Sequence, residues 1–386
     1  MRILIIHRSL ALVGGAERVI TDKANYLAGR NHEVLLVSYE QGTHPVSYEL
    51  HPNVKFKDLD CRFFTLSKYG IISHLVHFMQ LKRKFRDSLH EVIEDFRPSV
   101  VVLASDWNFL ISQVLKASGR VPVVCEFHNS YDHIIKKIGN TNSGIKAMLT
   151  KAYYSHVVKK VSRCARLISL TETEAKHWRR LSEDVSVIPN PVSWPSEDLI
   201  MIPKHPYRII FVGRLNAGKR IDRLITAFSM IADRNPKWEV AIFGEGSEQA
   251  SIERQIKSLG LEKRIIIHEP TNKIFEEYTK AQMLVLCSEY EAHPLVLIEA
   301  MSCGTPCVSF DCPSGPAEII EDHVTGLLVK NGDVNDLADK MEWLMVHDEE
   351  RKKMGIQSRI AAERYKPERI MKEWEKAYTD ATGLIH

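Results

Sequence analysis

Residues 2–39, RILIIHRSLALVGGAERVITDKANYLAGRNHEVLLVSY, contain the pattern that decides the fold. An apolar run at 2–7 precedes a glycine loop at 12–18, and a second apolar run lies at 32–39. Between the loop and the second run, apolar residues recur at the spacing of an amphipathic helix. A strand, a glycine loop, a helix and a strand make a βαβ unit, whose strands are parallel. The first half is therefore predicted to contain a parallel α/β sheet.

Further apolar runs predict two such sheets, and most are continuous, as expected when a sheet is covered on both faces. In the first half they lie at 99–105, 121–127, 165–170 and 185–190. In the second half a strand–loop–helix unit at 207–232 is followed by 238–248, 264–270, 282–288 and 305–311. The fold class is thus α/β, with two Rossmann-like doubly wound domains.

The domain boundary is predicted from a proline-rich stretch. Residues 189–208 contain five prolines, which indicates an interdomain linker. We expect one domain at 1–192 and a second at 193–365. A helical stretch from about 366 to 386 is expected to pack back on the first domain through Trp374 and Tyr378.

The composition is that of a globular protein, with 386 residues, 44% hydrophobic and 26% charged. The apolar run at the N-terminus is too short for a signal peptide, and no run reaches the length of a membrane span. The seven cysteines suit a reduced chain, and the spacing of Cys303, Cys307 and Cys312 fits no zinc pattern. We expect a cytoplasmic protein without a bound metal.

The net charge of +3 hides an asymmetry. Residues 1–192 carry 27 Lys and Arg against 18 Asp and Glu, or +9, and residues 193–386 carry 25 against 31, or −6. The segments 68–86 and 133–166 combine apolar and cationic positions, which suits peripheral contact with an anionic membrane. A solvated amphipathic helix explains them equally well. No aromatic–basic array indicates nucleic acid.

The loop FVGRLNAGKR (211–220) follows a predicted strand. After Gly213 it places Arg214 and Lys219 at the carboxyl end of a parallel strand, where open α/β sheets bind ligands. Arg offers a fork of donors and Lys a point charge, which together suit a diphosphate. Solvated charges at a helix start are the alternative, but cations there oppose the helix dipole, and this favours the binding interpretation.

Three weaker signals accompany this loop. Gly14 and Gly15 precede a helix and could let backbone N–H groups approach an anion, although a tight turn without ligand fits as well. FGEGSE (243–248) has the same form, and His128 follows a predicted strand. Asp58-Leu59-Asp60 is a DxD sequence, which we interpret as a solvated turn, because two carboxylates alone hold a hard cation poorly.

The segment SEYEAHPLVLIEAMSCGTP (288–306) carries two carboxylates around an apolar run. Pro294 suits the start of a helix, which places Glu291 before that start and Glu299 about one and a half turns inside. The free N–H groups near Leu295 and Val296 suit phosphate. A carboxylate in an apolar helix needs a polar partner. A ribose diol is one, and capping by the glutamates is the other; the residues alone leave both open.

Taken in order, these motifs resemble a known family. The pair Glu291 and Glu299 resembles the E-x7-E element of retaining glycosyltransferases of family 4, which have the GT-B fold. FVGRLNAGK (211–219), LVGGAERVI (12–20), VIPNPV (187–192) and CPSGPAEII (312–320) resemble further elements of that family. The resemblance extends over essentially the whole chain and departs at His293. It implies two domains that face a central cleft.

The resemblance also implies roles for individual residues. Glu299 would bind the ribose hydroxyls of a nucleotide diphosphate sugar. Arg214 and Lys219 would stabilise the diphosphate in place of a metal, and Glu291 would position the donor sugar. No cofactor is implied.

On the first domain, His128 and the Gly14–Gly15 loop would face the sugar and the β-phosphate. The implied activity is transfer of a hexose or N-acetylhexosamine, with UDP as the favoured carrier, to a lipid-linked, polysaccharide or lipopolysaccharide acceptor. A GDP-mannose-dependent mannosyltransferase is the main alternative. A GT-B epimerase or phosphorylase and a non-catalytic sugar-nucleotide-binding subunit are weaker ones.

Overall fold

The computed structural model describes residues 1–104, 110–131, 159–200 and 204–383. Within them the chain forms two compact units. The first unit comprises Met1–Pro189 and Ile370–His386, and the second comprises Asn190–Arg369. The sequence-based division, by comparison, stands after residue 192. Most of the basic segment 133–166 lies outside the described residues.

The described part of the first unit contains one parallel sheet of seven strands, in the order β3-β2-β1-β4-β5-β6-β7. Neighbouring strands pair in parallel throughout. The strands are β1 Arg2–Ile6, β2 Glu33–Ser38, β3 Val54–Asp58, β4 Val100–Ala104, β5 Val123–Phe127, β6 Arg166–Ser169 and β7 Val185–Val187.

The described part of the second unit contains a parallel sheet of six strands, in the order β10-β9-β8-β11-β12-β13. These strands are β8 Arg208–Val212, β9 Glu239–Phe243, β10 Ile265–His268, β11 Met283–Leu286, β12 Cys307–Asp311 and β13 Gly326–Lys330. In both sheets the chain order reverses beside the first strand, between β1 and β4 and between β8 and β11. Such a reversal opens a crevice at the carboxyl ends of the strands.

Helices connect the strands. In the first unit they are α1 Gly15–Gly29, α2 Ile71–Phe96, α3 Ile111–Ser118 and α4 Glu172–Trp178. In the second unit they are α5 Glu197–Ile200, α6 Ile221–Ile231, α7 Gln249–Ser258, α8 Ile274–Lys280, α9 Leu295–Ser302, α10 Pro316–Ile319, α11 Val334–Val346 and α12 Asp348–Ala362. A last helix, α13 Pro367–Thr382, contributes its buried Trp374 and Tyr378 to the first unit. Short 3-10 turns lie at Phe63–Lys68, Ala217–Lys219 and Glu363–Tyr365.

Hydrophobic clusters cover both faces of the second sheet, because successive residues of a strand point to opposite faces. Ile209 and Phe211 of β8 lie in one hydrophobic cluster, and Ile210 lies in another on the opposite face. The second cluster also contains Val192, whose amide donates to the carbonyl of Tyr365 at 3.3 Å. The predicted linker is therefore partly structural: its residue 192 is core, and it includes the short helix α5.

The sequence analysis did not predict two of the strands. Strand β3 alternates buried or half-buried with exposed residues, and β13 is a short run of GLLVK. Both lie at sheet edges. In β3 lysines interrupt the apolar pattern, and in β13 only three apolar residues follow one another. The interpretation of the DxD sequence as a turn was wrong for its first residue. Asp58 ends β3 and accepts hydrogen bonds from Ser38 Oγ and from the amides of residues 41 and 42.

Close backbone approach fixes the loop after β9. Gly244 has φ +154°, and a Cβ placed there would lie 2.0 Å from the carbonyl oxygen of Gly213. The amide of Gly213 in turn donates to the carbonyl of Phe243 at 3.0 Å. A side chain at residue 244 would therefore push apart the loops after two neighbouring strands.

We expect Gly244→Ala to lower the free energy of unfolding of the second unit by more than ~3 kcal/mol, because backbone atoms cannot yield as a side chain can. Gly260→Ala is the matched control. Gly260 also has positive φ, +68°, but nothing lies within 4 Å of a Cβ there. The control should lose only roughly 1 kcal/mol, from the left-handed conformation alone. Urea unfolding measures both, and equal losses would contradict the argument.

Candidate functional site

The loop after β8 presents cations at the switch point of the second sheet. Arg214 is exposed, and its guanidinium has no hydrogen-bond or ion-pair partner among the described residues. Asn216 shapes the 3-10 turn that follows, since its Oδ1 accepts from the amides of Gly218 at 3.1 Å and Lys219 at 3.3 Å. This turn directs Lys219 toward the neighbouring loop after β11.

Lys219 and Glu291 meet across that switch point. The Nζ of Lys219 lies 2.6 Å from Oε1 of Glu291, and the side chains are 27% and 12% exposed. A backbone bond from the Glu289 amide to the Gly218 carbonyl, 2.9 Å, ties the same two loops together. The structure thus brings together two of the predicted site residues. They form an ion pair, a contact that the sequence analysis did not foresee.

Helix α9 starts next to this pair. Pro294 is its N-cap residue, one position before the helix, and no side chain caps the helix. The amide of Leu297 bonds to the Pro294 carbonyl at 3.2 Å. The first-turn amides of Leu295 and Val296 carry the partial positive charge of a helix N-terminus. Glu291 is engaged by Lys219 and not by these amides, so the capping alternative does not hold for Glu291.

Glu299 lies inside α9 and is 6% exposed. Its Oε2 accepts a hydrogen bond from the hydroxyl of Tyr278 at 2.9 Å. This buried phenol on α8 is a site neighbour that the sequence analysis missed, because a lone tyrosine in a short helix, IFEEYTK, carries no motif that points to a binding site. The bond fixes one carboxylate oxygen of Glu299.

A third loop closes around the start of α9. Gly315, after β12, has φ +101°, and a Cβ there would lie 2.8 Å from Cδ of Pro294 and 3.0 Å from the carbonyl oxygen of Ala292. His293 beside them is buried and stacks edge-on against Tyr365, with ring centroids 5.4 Å apart. The loops after β8, β11 and β12 therefore converge at this helix start.

The glycine loop of the first unit leads into α1. Gly14 is the N-cap residue, with an extended φ of −158° that any residue adopts, and Gly15 is the first helical residue. A Cβ on Gly14 would lie 2.3 Å from Oε2 of Glu17, and the hydroxyl of Tyr48 bonds to the Gly14 carbonyl at 3.3 Å. Since the end of the Glu17 side chain can move aside and φ is extended, neither fixed packing nor backbone conformation requires glycine at residue 14.

His128 follows β5, as predicted, and its side chain is 3% exposed. Its Nε2 lies 2.9 Å from Oε2 of the wholly buried Glu126. Burial lowers the pKa of His128 despite this carboxylate. Burial alone would raise the pKa of Glu126, but Lys23 and His128 hold it at about 2. The histidine is therefore neutral and the glutamate ionised at neutral pH.

In the parts of the chain that the structure describes, no group of three or more His, Cys, Asp or Glu could hold a metal ion. Asp60 pairs with Arg62 and is exposed. The seven cysteines are buried and unbridged, and burial raises the pKa of Cys303. None of the described helices combines the length and the apolar character that crossing a bilayer requires.

Both halves of the chain match known protein families. Residues 13–193 match the family model described as Glycosyltransferase Family 4, and residues 198–360 match that described as Glycosyl transferases group 1. The chain belongs to this glycosyltransferase family. It is therefore an enzyme, a glycosyltransferase. The family identified from the sequence is confirmed.

Two bacterial relatives align over nearly the full length. An uncharacterized glycosyltransferase of Haemophilus influenzae is 23% identical over 370 residues, covering 95% of this chain and 97% of the relative. A GalNAc-alpha-(1->4)-GalNAc-alpha-(1->3)-diNAcBac-PP-undecaprenol alpha-1,4-N-acetyl-D-galactosaminyltransferase of Campylobacter jejuni is 25% identical over 366 residues, covering 94% of each.

Among solved structures, a Staphylococcus aureus TarM variant has a TM-score of 0.76 at 15% identity, covering 98% of this chain and 99% of TarM. At that identity the likeness concerns the fold. Together with the two parallel sheets it confirms the predicted GT-B fold class for this glycosyltransferase.

Proposed function

We propose that this glycosyltransferase moves a hexose or N-acetylhexosamine from a UDP-linked sugar to a lipid-linked or polysaccharide acceptor, with retention of configuration and without a metal. The observation that carries the proposal is the Lys219–Glu291 pair on the same loop as the exposed Arg214, at the switch point and next to the N-terminus of α9. Two cations and a helix N-terminus are the groups that a diphosphate requires.

The carrier and the acceptor are inferred from relatives. The TarM structure contains UDP and alpha-GlcNAc-glycerol, and the Campylobacter jejuni relative is named for an undecaprenol-linked glycan. Both suit an enzyme that extends bacterial glycolipids or polysaccharides. We extend that substrate class to this chain as part of the proposal.

In the proposed reaction, the bond between the anomeric carbon and the diphosphate breaks as negative charge grows on the phosphate. Arg214 and Lys219 stabilise that charge. Preorganised cations lower an activation barrier most where charge develops in the transition state. The acceptor hydroxyl attacks the same face, and its proton passes to a donor phosphate oxygen. Glu291, already paired with Lys219, holds the lysine for the diphosphate and faces the sugar.

The remaining site residues would bind the nucleotide sugar. Glu299, whose Oε2 accepts from Tyr278, would also accept from ribose hydroxyls, while the amides of Leu295 and Val296 would face the phosphate. On the first unit, His128 would accept from a sugar hydroxyl. Gly14 and Gly15 would leave room for the phosphate, and Gly213 would let the β8 loop turn.

The function is tested by a screen of UDP- and GDP-sugars, with thermal shift for binding and product NMR for the anomer. We expect stabilisation by UDP-hexose or UDP-N-acetylhexosamine, an α-configured product from an α-linked donor, and unchanged turnover in EDTA. Stabilisation by GDP-mannose alone would favour the mannosyltransferase. An inverted anomer would refute retention, and loss of turnover in EDTA would refute metal independence.

Charge-neutral variants test the site. Lys219→Met and Arg214→Ala should each lower kcat/KM by roughly 10²-fold or more, since each removes a cation that stabilises the leaving group. Glu299→Ala should raise the KM for the donor by about tenfold, because a hydrogen bond to a charged group contributes roughly 1.5–3 kcal/mol. Lys273→Met, at an exposed lysine in the same unit, is the control. Wild-type kinetics in the first three variants would refute the assignment.

We also propose that helix α2 attaches the enzyme to an anionic membrane surface. Its first half exposes Ile72, Leu75, Val76 and Met79, with exposed fractions of 49% to 82%. These positions are three and four residues apart, so they form one stripe. Its second half packs in the core through Phe85 and other residues, and Phe78 and Leu81 pack against the same cluster, so the exposed apolar residues of α2 are confined to this stripe.

Cations continue the stripe. The next positions along the same face are Lys82, Arg83 and Arg86, and Lys68 lies just before the helix. Arg83 is 79% exposed. An apolar stripe flanked by cations suits the boundary between headgroups and acyl chains of anionic lipids, which favours this interpretation over a solvated helix.

Liposome co-sedimentation tests the attachment. The wild type should bind vesicles that contain phosphatidylglycerol at low salt, and Ile72→Glu/Met79→Glu should lower the partition by about tenfold or more, because two apolar anchors become anionic. Ile356→Glu/Ile360→Glu is the matched control, since these residues of α12 are 60% and 59% exposed. Absence of wild-type binding, or equal losses in both variants, would refute the proposal.

A further inference from the structure

A buried cluster of polar groups lies in the first unit and involves residues that the proposed reaction does not use. We call it the Glu126 cluster; its members are Lys23, Glu126, His128, Trp374 and Tyr378. Glu126 is 0% exposed and Lys23 is 1% exposed. The Nζ of Lys23 bonds to Oε2 of Glu126, and the hydroxyl of Tyr378 donates to Oε1. His128 completes the shell of the carboxylate through Nε2.

Burying this cluster in the core has a large desolvation cost. Glu126 interrupts the otherwise apolar strand β5, VVCEF, and burying two charges costs several kcal/mol each before their attraction is counted. A buried ion pair is often no more stable than well-packed apolar residues of similar volume. Stability alone therefore does not account for an ionised carboxylate at this point of the sheet.

The geometry determines which nitrogen of His128 carries the proton. Glu126 is ionised, so it only accepts, and the neutral imidazole must donate from Nε2. The other nitrogen, Nδ1, then holds a lone pair. Nδ1 is buried, and it has no hydrogen-bond partner among the residues that the structure describes. A buried acceptor of this kind matches a hydroxyl supplied by a ligand.

Helix α13 holds the cluster from a distant part of the chain. Trp374 lies under Lys23, whose Nζ is 3.7 Å from the centre of a Trp374 ring. The His128 ring is nearly parallel to Trp374, 10° apart, with centroids separated by 6.5 Å. The indole N–H donates to the carbonyl of Pro189 at 3.0 Å, which fixes the tryptophan. Tyr378, one turn later, fixes the carboxylate itself.

We propose that Glu126, held by Lys23 and Tyr378, is a positioning residue that keeps His128 as its Nε2–H tautomer, so that Nδ1 accepts a hydrogen bond from a hydroxyl of the bound sugar substrate. The substrate class rests on the proposed function. The helix α13 thereby contributes to the reaction through residues that touch neither substrate nor reacting atoms.

The tautomer is measured first, because it requires no substrate. Long-range 1H–15N NMR of histidine-labelled enzyme distinguishes the two nitrogens, and His128→Gln identifies the signal among the 17 histidines. At pH 7.5 we expect an unprotonated Nδ1 and a protonated Nε2. A protonated Nδ1 on His128 would overturn the proposal.

Two variants then separate positioning from stability. Lys23→Met/Glu126→Leu/Tyr378→Phe replaces the polar groups by apolar side chains and leaves Nε2 without an acceptor. Lys23→Met/Glu126→Gln keeps a carbonyl acceptor for Nε2–H and a partner for Tyr378. We expect the first to give mixed tautomers and a kcat/KM lower by roughly 10- to 100-fold, as misplacement of a substrate contact does. The second should recover most of that loss.

Glu375→Gln is the control for the docking of α13, because Glu375 lies on that helix and ties it to Arg30 and His32 near the start of β2, away from the bonds to Glu126. An apolar triple variant that folds and stays within twofold of this control would overturn the proposal. If the triple variant does not fold, Tyr378→Phe decides: a kcat/KM equal to that of the control, with an unchanged His128 signal, overturns it as well.

The two proposals fail separately. If the wild type transfers no sugar from any nucleotide, the proposed function is lost, while the NMR result still decides the tautomer. If the wild type transfers sugar and the Leu and Gln variants are equally active, the function stands and the positioning role of Glu126 is refuted.

Discussion

The reversal of strand order beside the first strand of each sheet is the constraint on which the rest of the structure depends. Between β8 and β11 the chain departs in opposite directions, so no connecting helix covers the carboxyl ends there. Loops from distant parts of the sequence meet at that gap. Lys219 and Glu291 are neighbours for this reason, although 72 positions separate them.

The close packing of backbone makes these loops rigid. Gly244 brings the loop after β9 against Gly213, and Gly315 brings the loop after β12 against Pro294. A site that must hold a diphosphate gains from such rigidity, because donors that are already in place need no rearrangement as charge develops. Positive φ and absent side chains at these few positions thus serve the proposed chemistry directly.

The two units differ in the exposure of their charged side chains. In the second unit the cations are accessible: Arg214 is exposed and Lys219 is 27% exposed. In the first unit Lys23 and Glu126 are sealed from water. Accessible cations can exchange partners when an anion arrives, whereas a sealed pair can only orient its neighbours. This contrast is the physical basis for assigning binding to Lys219 and positioning to Glu126.

The sequence by itself determined the central parallel strands, the helix between Pro294 and Gly304, and the family, because buried strands and phosphate-binding loops leave local, continuous patterns. Edge strands β3 and β13 were missed, since lysines alternate with the apolar residues of β3 and the apolar run of β13 is only three residues long. The partners of the charged residues were decided only by the tertiary structure. Glu291 with Lys219, Glu299 with Tyr278 and Glu126 with Tyr378 are all contacts between distant segments. Local periodicity carries no information about such pairs, because the packing of strands, loops and helices from different parts of the chain places them side by side.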